Sequence, residues 1–186
     1  MGIGLIVVLA VLVIGALWFV GAFNGLVSMR QEVKSAWSQI DVQLKRRHDL
    51  IPNLVETVKG YLAHERQTLE NVIKARQQAV NATGLADKAQ AENFLTQSLR
   101  SLFAVVERYP DLKANQNVLA LQEELTSTEN KIAFARQFYN DQATRLNTAI
   151  ESVPTNLVAG IGGFTKSEFF QLEDAGERQV PKVSFS

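Results

Sequence analysis

The chain has 186 residues, 46% of them apolar, and its 19 basic and 19 acidic side chains give a net charge of zero. This length accommodates one ordinary domain with an appendage, and the apolar content is sufficient for a core. The balanced charge supplies no overall field to attract nucleic acid, so we expect no nucleic-acid partner. With no cysteine in the sequence, disulfides, thiolate nucleophiles and thiolate metal sites are excluded.

The first predicted element is an uncharged apolar segment, IGLIVVLAVLVIGALWFVGAF, at residues 3–23. A helix of this length spans roughly 30 Å, the thickness of a bilayer's hydrocarbon core. We therefore predict a membrane anchor over residues 1–25 that contacts the lipid bilayer through residues 3–23. A cleaved signal peptide is the alternative, but it requires a basic start and a shorter apolar run. Met1 and Gly2 supply no basic side chain.

Basic residues near the ends of this segment predict its orientation. None precedes it, whereas Arg30 and Lys34 follow it. Because basic side chains tend to be retained on the cytoplasmic side of the membrane, we expect the remainder of the chain to be cytoplasmic.

The soluble part begins with an amphipathic helix. Its apolar residues recur at spacings of three and four, which places them on one face: Val33, Trp37, Ile40 and Leu44. The same pattern resumes at Leu54. We therefore predict Trp37, Ile40 and Leu54 as core anchors.

Pro52 interrupts this pattern. Its ring removes an amide donor and collides with the carbonyl four residues earlier, which predicts a kink or a break between Asp49 and Asn53. Asn53 and Glu56 have the spacing of an N-cap and its reciprocal partner, which favours a second helix that begins after Pro52.

Two further helices follow. A turn at NATGLA, residues 81–86, precedes a third helix that stops at Pro110, and a fourth keeps its apolar register from Val118 to Val153. Four amphipathic helices joined by short turns bury their apolar faces best as an antiparallel bundle. The sequence therefore predicts an all-α fold, with a four-helix bundle of long, coiled-coil-like helices over residues 26–153.

Residues 154–186 form a tail that contains glycines and then aromatic residues. Disordered tails are poor in aromatic residues. We therefore expect this tail to dock, either on the bundle or on a neighbouring subunit, through its phenylalanines: Phe164, Phe169, Phe170 and Phe185.

No pattern in the sequence predicts catalysis, a cofactor or a metal site. The HERQT segment that begins at His64 lacks the second histidine of a zinc-binding helix, and we expect both His48 and His64 to lie on the surface. The glycines within residues 160–163 lack the preceding strand and following helix of a phosphate-binding loop.

A basic run at residues 45–47 lies just before Pro52. Consecutive helical residues point about 100° apart, so they cannot form one basic patch. We predict that Arg46 or Arg47 turns inward and pairs with an acid and with carbonyls that Pro52 leaves free. Three nearby positions offer the acid: Asp41, Asp49 and Glu56. The predicted structural polar corner comprises six residues: Arg46, Arg47, Asp49, Pro52, Asn53 and Glu56. A fully solvated basic turn is the alternative.

Four segments resemble the LemA family of bacterial membrane proteins. The leading one is FNGLVSMRQEVKSAWSQIDVQLKRRHDLIPNLVETVKGYLAHE, residues 23–65. The second is ERYPDLKANQNVLALQEELTSTENKIAFARQFYN, residues 107–140. The tail segments GFTKSEFF and VPKVSF, residues 163–170 and 180–185, are also similar to the family pattern.

This resemblance implies a single N-terminal membrane helix followed by a helical bundle with a long hairpin, in the cytoplasmic membrane of a bacterium. It implies no enzymatic activity and no cofactor. One branch of the family acts in building magnetosome membranes, which implies a role in membrane organisation. Most of the polar corner belongs to the family pattern: Arg46, Arg47, Asp49, Pro52 and Asn53.

These observations favour a non-enzymatic, single-pass membrane scaffold that self-associates or binds protein partners at the membrane. We expect a homo-oligomer. A membrane-remodelling protein that acts as a large homo-oligomer is the first alternative, and an accessory subunit of a membrane enzyme is the second.

Overall fold

The computed structural model describes residues 2–170, and every regular element within that range is a helix. The helices are α1 (Gly2–Lys59), α2 (Arg66–Asn81), α3 (Leu85–Val106), α4 (Pro110–Lys113), α5 (Gln116–Glu151) and α6 (Thr155–Ile161). α1 packs on α5, and α2 packs on α3. The predicted all-α fold is confirmed.

The chain divides into two compact units. Within the described residues, the first unit contains residues 2–41 and 134–169, and the second contains residues 42–133 and Phe170. The helices α1 and α5 each contribute residues to both units, whereas α2, α3 and α4 belong to the second unit and α6 to the first.

The first unit contains the apolar start of α1. Its large side chains from Ile3 to Val20 lie almost entirely at the surface, and by length and composition this helix is able to cross a membrane. After Phe23 the helix becomes amphipathic. The buried positions of this unit come from α1, α5 and the segment that begins with α6: Leu26, Val33, Ala36, Ile40, Tyr139, Ala143, Leu146, Val158, Ala159 and Phe164. Trp37 is partly buried, and its ring meets the edge of Tyr139 at a centroid distance of 5.8 Å.

The second unit has a continuous apolar core to which α1 to α5 all contribute. Its most completely buried members include Ile51, Leu54, Val58, Leu62, Val72, Leu95, Leu102, Leu112 and Val118. Leu54, one of the three predicted anchors, is fully buried there. The short helix α4, with Leu112 in this core, was not predicted from the sequence.

The predicted break at Pro52 is wrong, because α1 continues through it to Lys59. The chain instead turns at residues 60–65, between α1 and α2. Asn53 is therefore an interior helical residue rather than an N-cap. Its carbonyl accepts a hydrogen bond from the Thr57 hydroxyl at 2.7 Å.

A distant side chain explains why α1 tolerates the proline. Pro52 has no N–H to donate to the carbonyl oxygen of His48, four residues earlier. The Nε of Arg76, on α2, donates to this carbonyl at 2.7 Å. The acceptor that the proline leaves free is thus satisfied by another helix of the second unit.

The segment after α6 lies against α1 and α5 of the first unit. The ring centroids of Phe23 and Phe164 are 5.4 Å apart. Asn147 and Ser167 exchange two hydrogen bonds, of 2.8 and 2.9 Å, and the Tyr139 hydroxyl donates to the Glu168 carbonyl at 2.9 Å. Docking of the whole tail stays a prediction, because residues 171–186, which include Phe185, lie outside the described residues.

A double-mutant cycle tests the role of Arg76. Arg76→Ala leaves the His48 carbonyl without a donor, and we expect it to reduce the free energy of unfolding by about 1–3 kcal/mol. In a Pro52→Ala background, the new N–H at position 52 donates to the same carbonyl, so the cost of Arg76→Ala should be smaller. Urea unfolding of the full-length protein in detergent measures both costs, with Lys74→Ala as the exposed control on α2. Equal costs in the two backgrounds would contradict this explanation.

Candidate functional site

A buried polar cluster in the second unit centres on Arg47, whose side chain is 2% exposed. Its position follows from the helical repeat. The apolar face of α1 places one residue in the core every three or four positions: Leu44, Arg47, Ile51, Leu54 and Val58. Arg47 therefore occupies a core position, and its charge requires partners inside the protein.

The Arg47 guanidinium binds two acids on two other helices. Its Nη2 pairs with the carboxylate of Glu92 and lies 3.4 Å from the carbonyl oxygen of the same residue. Its Nη1 pairs with the carboxylate of Glu129 and donates to the Thr96 hydroxyl at 3.0 Å. The guanidinium thereby joins α1 to α3 and α5.

Glu92 is the more deeply buried of the two acids. One carboxylate oxygen binds Arg47, and the other lies 2.7 Å from the Nε2 of His48. Because a carboxylate only accepts, Nε2 is the donor in this contact. Burial alone would raise the pKa of Glu92, but the His48 hydrogen bond and the Arg47 charge outweigh it and hold that pKa below its usual value.

Weaker contacts surround this centre. The Nη2 of Arg46 lies 2.6 Å from a carboxylate oxygen of Glu124, and both side chains are about half exposed. Surface pairs of this kind contribute roughly 0–1 kcal/mol. Adjacent arginines therefore have different environments: Arg47 is enclosed by the core, whereas Arg46 lies at the edge.

The structure brings together only part of the predicted polar corner. Arg46 and Arg47 both form ion pairs, but with acids of α3 and α5 rather than with the expected Asp49 or Glu56, which are exposed. Glu56 instead lies 3.8 Å from Lys59.

One of the two predicted surface histidines is misplaced. His48 is largely buried against Glu92, so its prediction is wrong, whereas His64 is exposed. The error arose because the sequence gives no indication that an acid of a different helix faces His48.

The acids of the cluster were missed, although one leaves a signal in the sequence. Glu92 lies on the apolar face of α3, three residues from Ala89 and three from Leu95. An acid at such a position must find a buried partner, and Arg47 is the corresponding basic residue on α1. Glu129 has no comparable signal, because it follows the buried Thr128 at the margin of the apolar face of α5.

A cavity of about 190 Å³ opens beside the cluster. Its lining combines polar residues with apolar ones: Arg47, Thr96, Leu99, Arg100, Phe103, Leu125, Thr126, Glu129 and Asn130. The Thr96 hydroxyl within this lining lies 3.4 Å from a carboxylate oxygen of Glu129, and the mixed lining is suited to holding water or a small ligand. Within residues 2–170, no group of three or more histidine or acidic side chains is placed to bind a metal ion.

The unequal environments of the two arginines predict unequal mutational effects. Arg47→Ala leaves Glu92 buried without its cation, and breaking a buried pair from one side costs about 3–5 kcal/mol. Arg46→Ala is the matched control, and we expect it to cost about 1 kcal/mol or less. Arg47→Lys should restore stability poorly, because a point charge does not bridge two acids as a planar guanidinium does. Chemical unfolding of the full-length variants measures these effects, and equal losses from the two alanine variants would contradict the assignment.

Glu92 also predicts a pH dependence. A carboxyl whose pKa is lowered by folding stabilises the fold above its unfolded-state pKa of about 4.3, and this contribution is lost as the pH falls through the folded-state pKa. Glu92→Gln is already without this contribution at neutral pH. The free energy of unfolding of this variant should therefore fall less between pH 6 and pH 3 than that of the parent. Chemical unfolding at each pH measures the difference. The exposed Glu123→Gln should follow the parent, and parallel curves for all three proteins would refute the prediction.

Comparisons with known proteins agree with the sequence resemblance. The model of the LemA family matches residues 36–185. The protein LemA of Metamycoplasma hominis is 32% identical over 154 residues, which cover 80% of this chain and 69% of that protein. Magnetosome protein MamQ of Magnetospirillum gryphiswaldense and magnetosome protein MamQ 1 of Paramagnetospirillum magneticum are each 26% identical over 184 residues. These matches cover 85% of this chain and 68% of each relative. The resemblance is confirmed, and the chain belongs to the LemA family.

Proposed function

We propose that this protein is a non-enzymatic scaffold of the bacterial cytoplasmic membrane. A single N-terminal span anchors it, and its helical part self-associates or binds protein partners on the cytoplasmic side. The observation that carries this proposal is the continuity of α1, in which an exposed apolar segment and a packed amphipathic segment belong to one helix, Gly2–Lys59.

The surface of the early part of α1 supports the anchor. Its most apolar 18-residue window has a mean hydropathy of 3.0, and none of that window is buried within the protein. A helix that is apolar all round is stable only within a protein core or a membrane. Since no core covers this segment in the described structure, a lipid bilayer is the environment that fits it.

The polar cluster supports a structural role over a catalytic one. The Arg47 guanidinium and the Glu92 carboxylate are both buried and paired with each other. Charged groups engaged in this way hold three helices together and are not free to transfer a proton to a substrate. The exposed margin at Arg46 and Glu124 is an ordinary surface ion pair.

An aromatic pair on α5 supports self-association or partner binding. Phe134 and Phe138 are 74% and 44% exposed. Their spacing of four residues places both on one face of the helix. Large exposed aromatic side chains on one face are typical of protein interfaces.

The named relatives favour a second candidate function. Two of them carry the name magnetosome protein MamQ. A role in organising or remodelling a membrane would require a large homo-oligomer of the same anchored scaffold. The mass of the assembly therefore separates this candidate from a small oligomer.

Membrane extraction and mass measurement test the proposal together. Carbonate washing should leave the full-length chain in the membrane pellet, since an inserted apolar helix is not released by high pH. Release into the supernatant would contradict the anchor. Light scattering of the detergent-extracted protein should give a multiple of the 20.6 kDa chain.

A matched pair of variants locates the interface. Replacing both Phe134 and Phe138 with aspartate should reduce the assembly to monomers, whereas Thr144→Asp, which adds charge at an exposed position of α5 away from this pair, should leave the mass unchanged. A monomeric parent would contradict self-association. A stable complex with a different membrane protein would favour the accessory-subunit alternative.

A further inference from the structure

The short helix α6 carries an exposed apolar face. Leu157 and Ile161 are 66% and 76% exposed and lie four residues apart, and Val153, just before the helix, is 82% exposed. The opposite face is buried through Val158 and Ala159. One side of α6 therefore packs on the first unit, and the other presents three large aliphatic side chains with no cover among the described residues.

Contacts within the first unit place the end of α6 beside the end of the apolar segment of α1. The Phe164 ring meets the Phe23 ring at a centroid distance of 5.4 Å, and the Arg30 guanidinium lies 5.1 Å from the centroid of the Phe164 ring. A Cβ atom at Gly162 would lie 2.6 Å from Phe164 and 3.0 Å from Phe23. Ile161, the last residue of α6, therefore lies near the end of the proposed membrane span.

The course of α5 agrees with this placement. Tyr139 of α5 contacts Trp37 of α1, and the chain beyond α5 reaches Phe23 through Gly162. Within the first unit, α5 therefore runs toward the end of the apolar segment. From the contact between Trp37 and Tyr139, α1 runs back roughly 20 Å to Phe23, at about 1.5 Å per residue. From the same contact, α5 runs on by a similar length to its end at Glu151.

The aromatic residues near the end of the apolar segment are typical of a membrane interface. Trp18 and Phe23 are partly exposed near the end of the apolar segment, and aromatic rings, tryptophan above all, favour the boundary between the headgroups and the hydrocarbon. The exposed residue Ile161 lies three positions before Phe164, whose ring contacts Phe23 at the end of the apolar segment. A short amphipathic helix next to the end of a span is suited to lie in the membrane interface.

We propose that α6 is a second membrane contact, which inserts Val153, Leu157 and Ile161 into the interfacial region of the leaflet where the α1 span ends. The occupant of this face is lipid, because the end of α6 lies beside the end of the span, at Phe23. This inference rests on the proposed membrane anchor. It adds that the protein contacts the bilayer at two points of the chain, about 130 residues apart in sequence, instead of one.

Single cysteines in this cysteine-free chain provide the test. Leu157→Cys and Ile161→Cys are each labelled with an environment-sensitive fluorophore in the full-length protein, which is then reconstituted into phosphatidylcholine and phosphatidylglycerol vesicles. Gln39→Cys is the control, because Gln39 is exposed on α1 in the same unit but lies sixteen residues beyond Phe23, away from the end of the apolar segment. Leu12→Cys reports on the span itself.

Blue-shifted emission and strong quenching by a nitroxide attached near the lipid headgroup are expected at positions 157 and 161, whereas position 39 should be quenched by aqueous iodide. Quenching by iodide at 157 and 161, as at 39, would overturn the inference. Blue-shifted emission without lipid quenching would also overturn it, because protein would then cover α6.

The label at position 12 separates this failure from failure of the anchor. Quenching at position 12 by a nitroxide deep in the acyl chains, without lipid quenching at 157 and 161, refutes the α6 contact and leaves the anchor intact. Absence of lipid quenching at position 12 refutes the anchor and, with it, the inference.

Discussion

The burial of one arginine is the constraint on which the second unit depends. A guanidinium removed from water requires partners for its charge and its hydrogen-bond donors. Both Nη atoms of Arg47 have them in Glu92, Glu129 and Thr96, whereas its buried Nε has no hydrogen-bond partner among the described residues. Each partner comes from α3 or α5, so a shift of α3 along its axis would separate the buried Glu92 from Arg47, and a shift of α5 would remove Glu129 from Arg47. Apolar residues in place of such an ion pair can give a protein of equal stability. We therefore infer that Arg47 mainly fixes the register of the three helices and contributes less to their net stability.

The same region explains how α1 remains one helix. Pro52 withdraws the donor to the His48 carbonyl, and Arg76 supplies another. His48 in turn contacts Glu92 through its ring. The proline is thus held within a set of contacts that satisfies both the backbone and the side chain of His48. An uninterrupted α1 is what allows the proposed membrane anchor and the packed helical part to share a single helix.

Local pattern was sufficient to predict some features but not others. The apolar segment at residues 3–23 and the helical periodicity depend on residues close in sequence, and the all-helical fold followed from them. The inward position of Arg47 was also available, since it continues the spacing of Leu44, Ile51 and Leu54. The continuity of α1 at Pro52 was not available, because it requires a donor on α2, 28 residues from the carbonyl it serves. His48 was misassigned for the same reason, as its partner Glu92 lies 44 residues away.

Amide hydrogen exchange of the full-length protein in nanodiscs tests most directly whether α1 is continuous across Pro52. The turn at residues 60–65 serves as an internal reference for rapidly exchanging backbone. Peptides that cover residues 45–56 should exchange far more slowly than this turn, because α1 is helical and packed on both sides of the proline. Exchange between Asp49 and Asn53 as fast as in residues 60–65 would show that α1 is broken there, and would contradict the account.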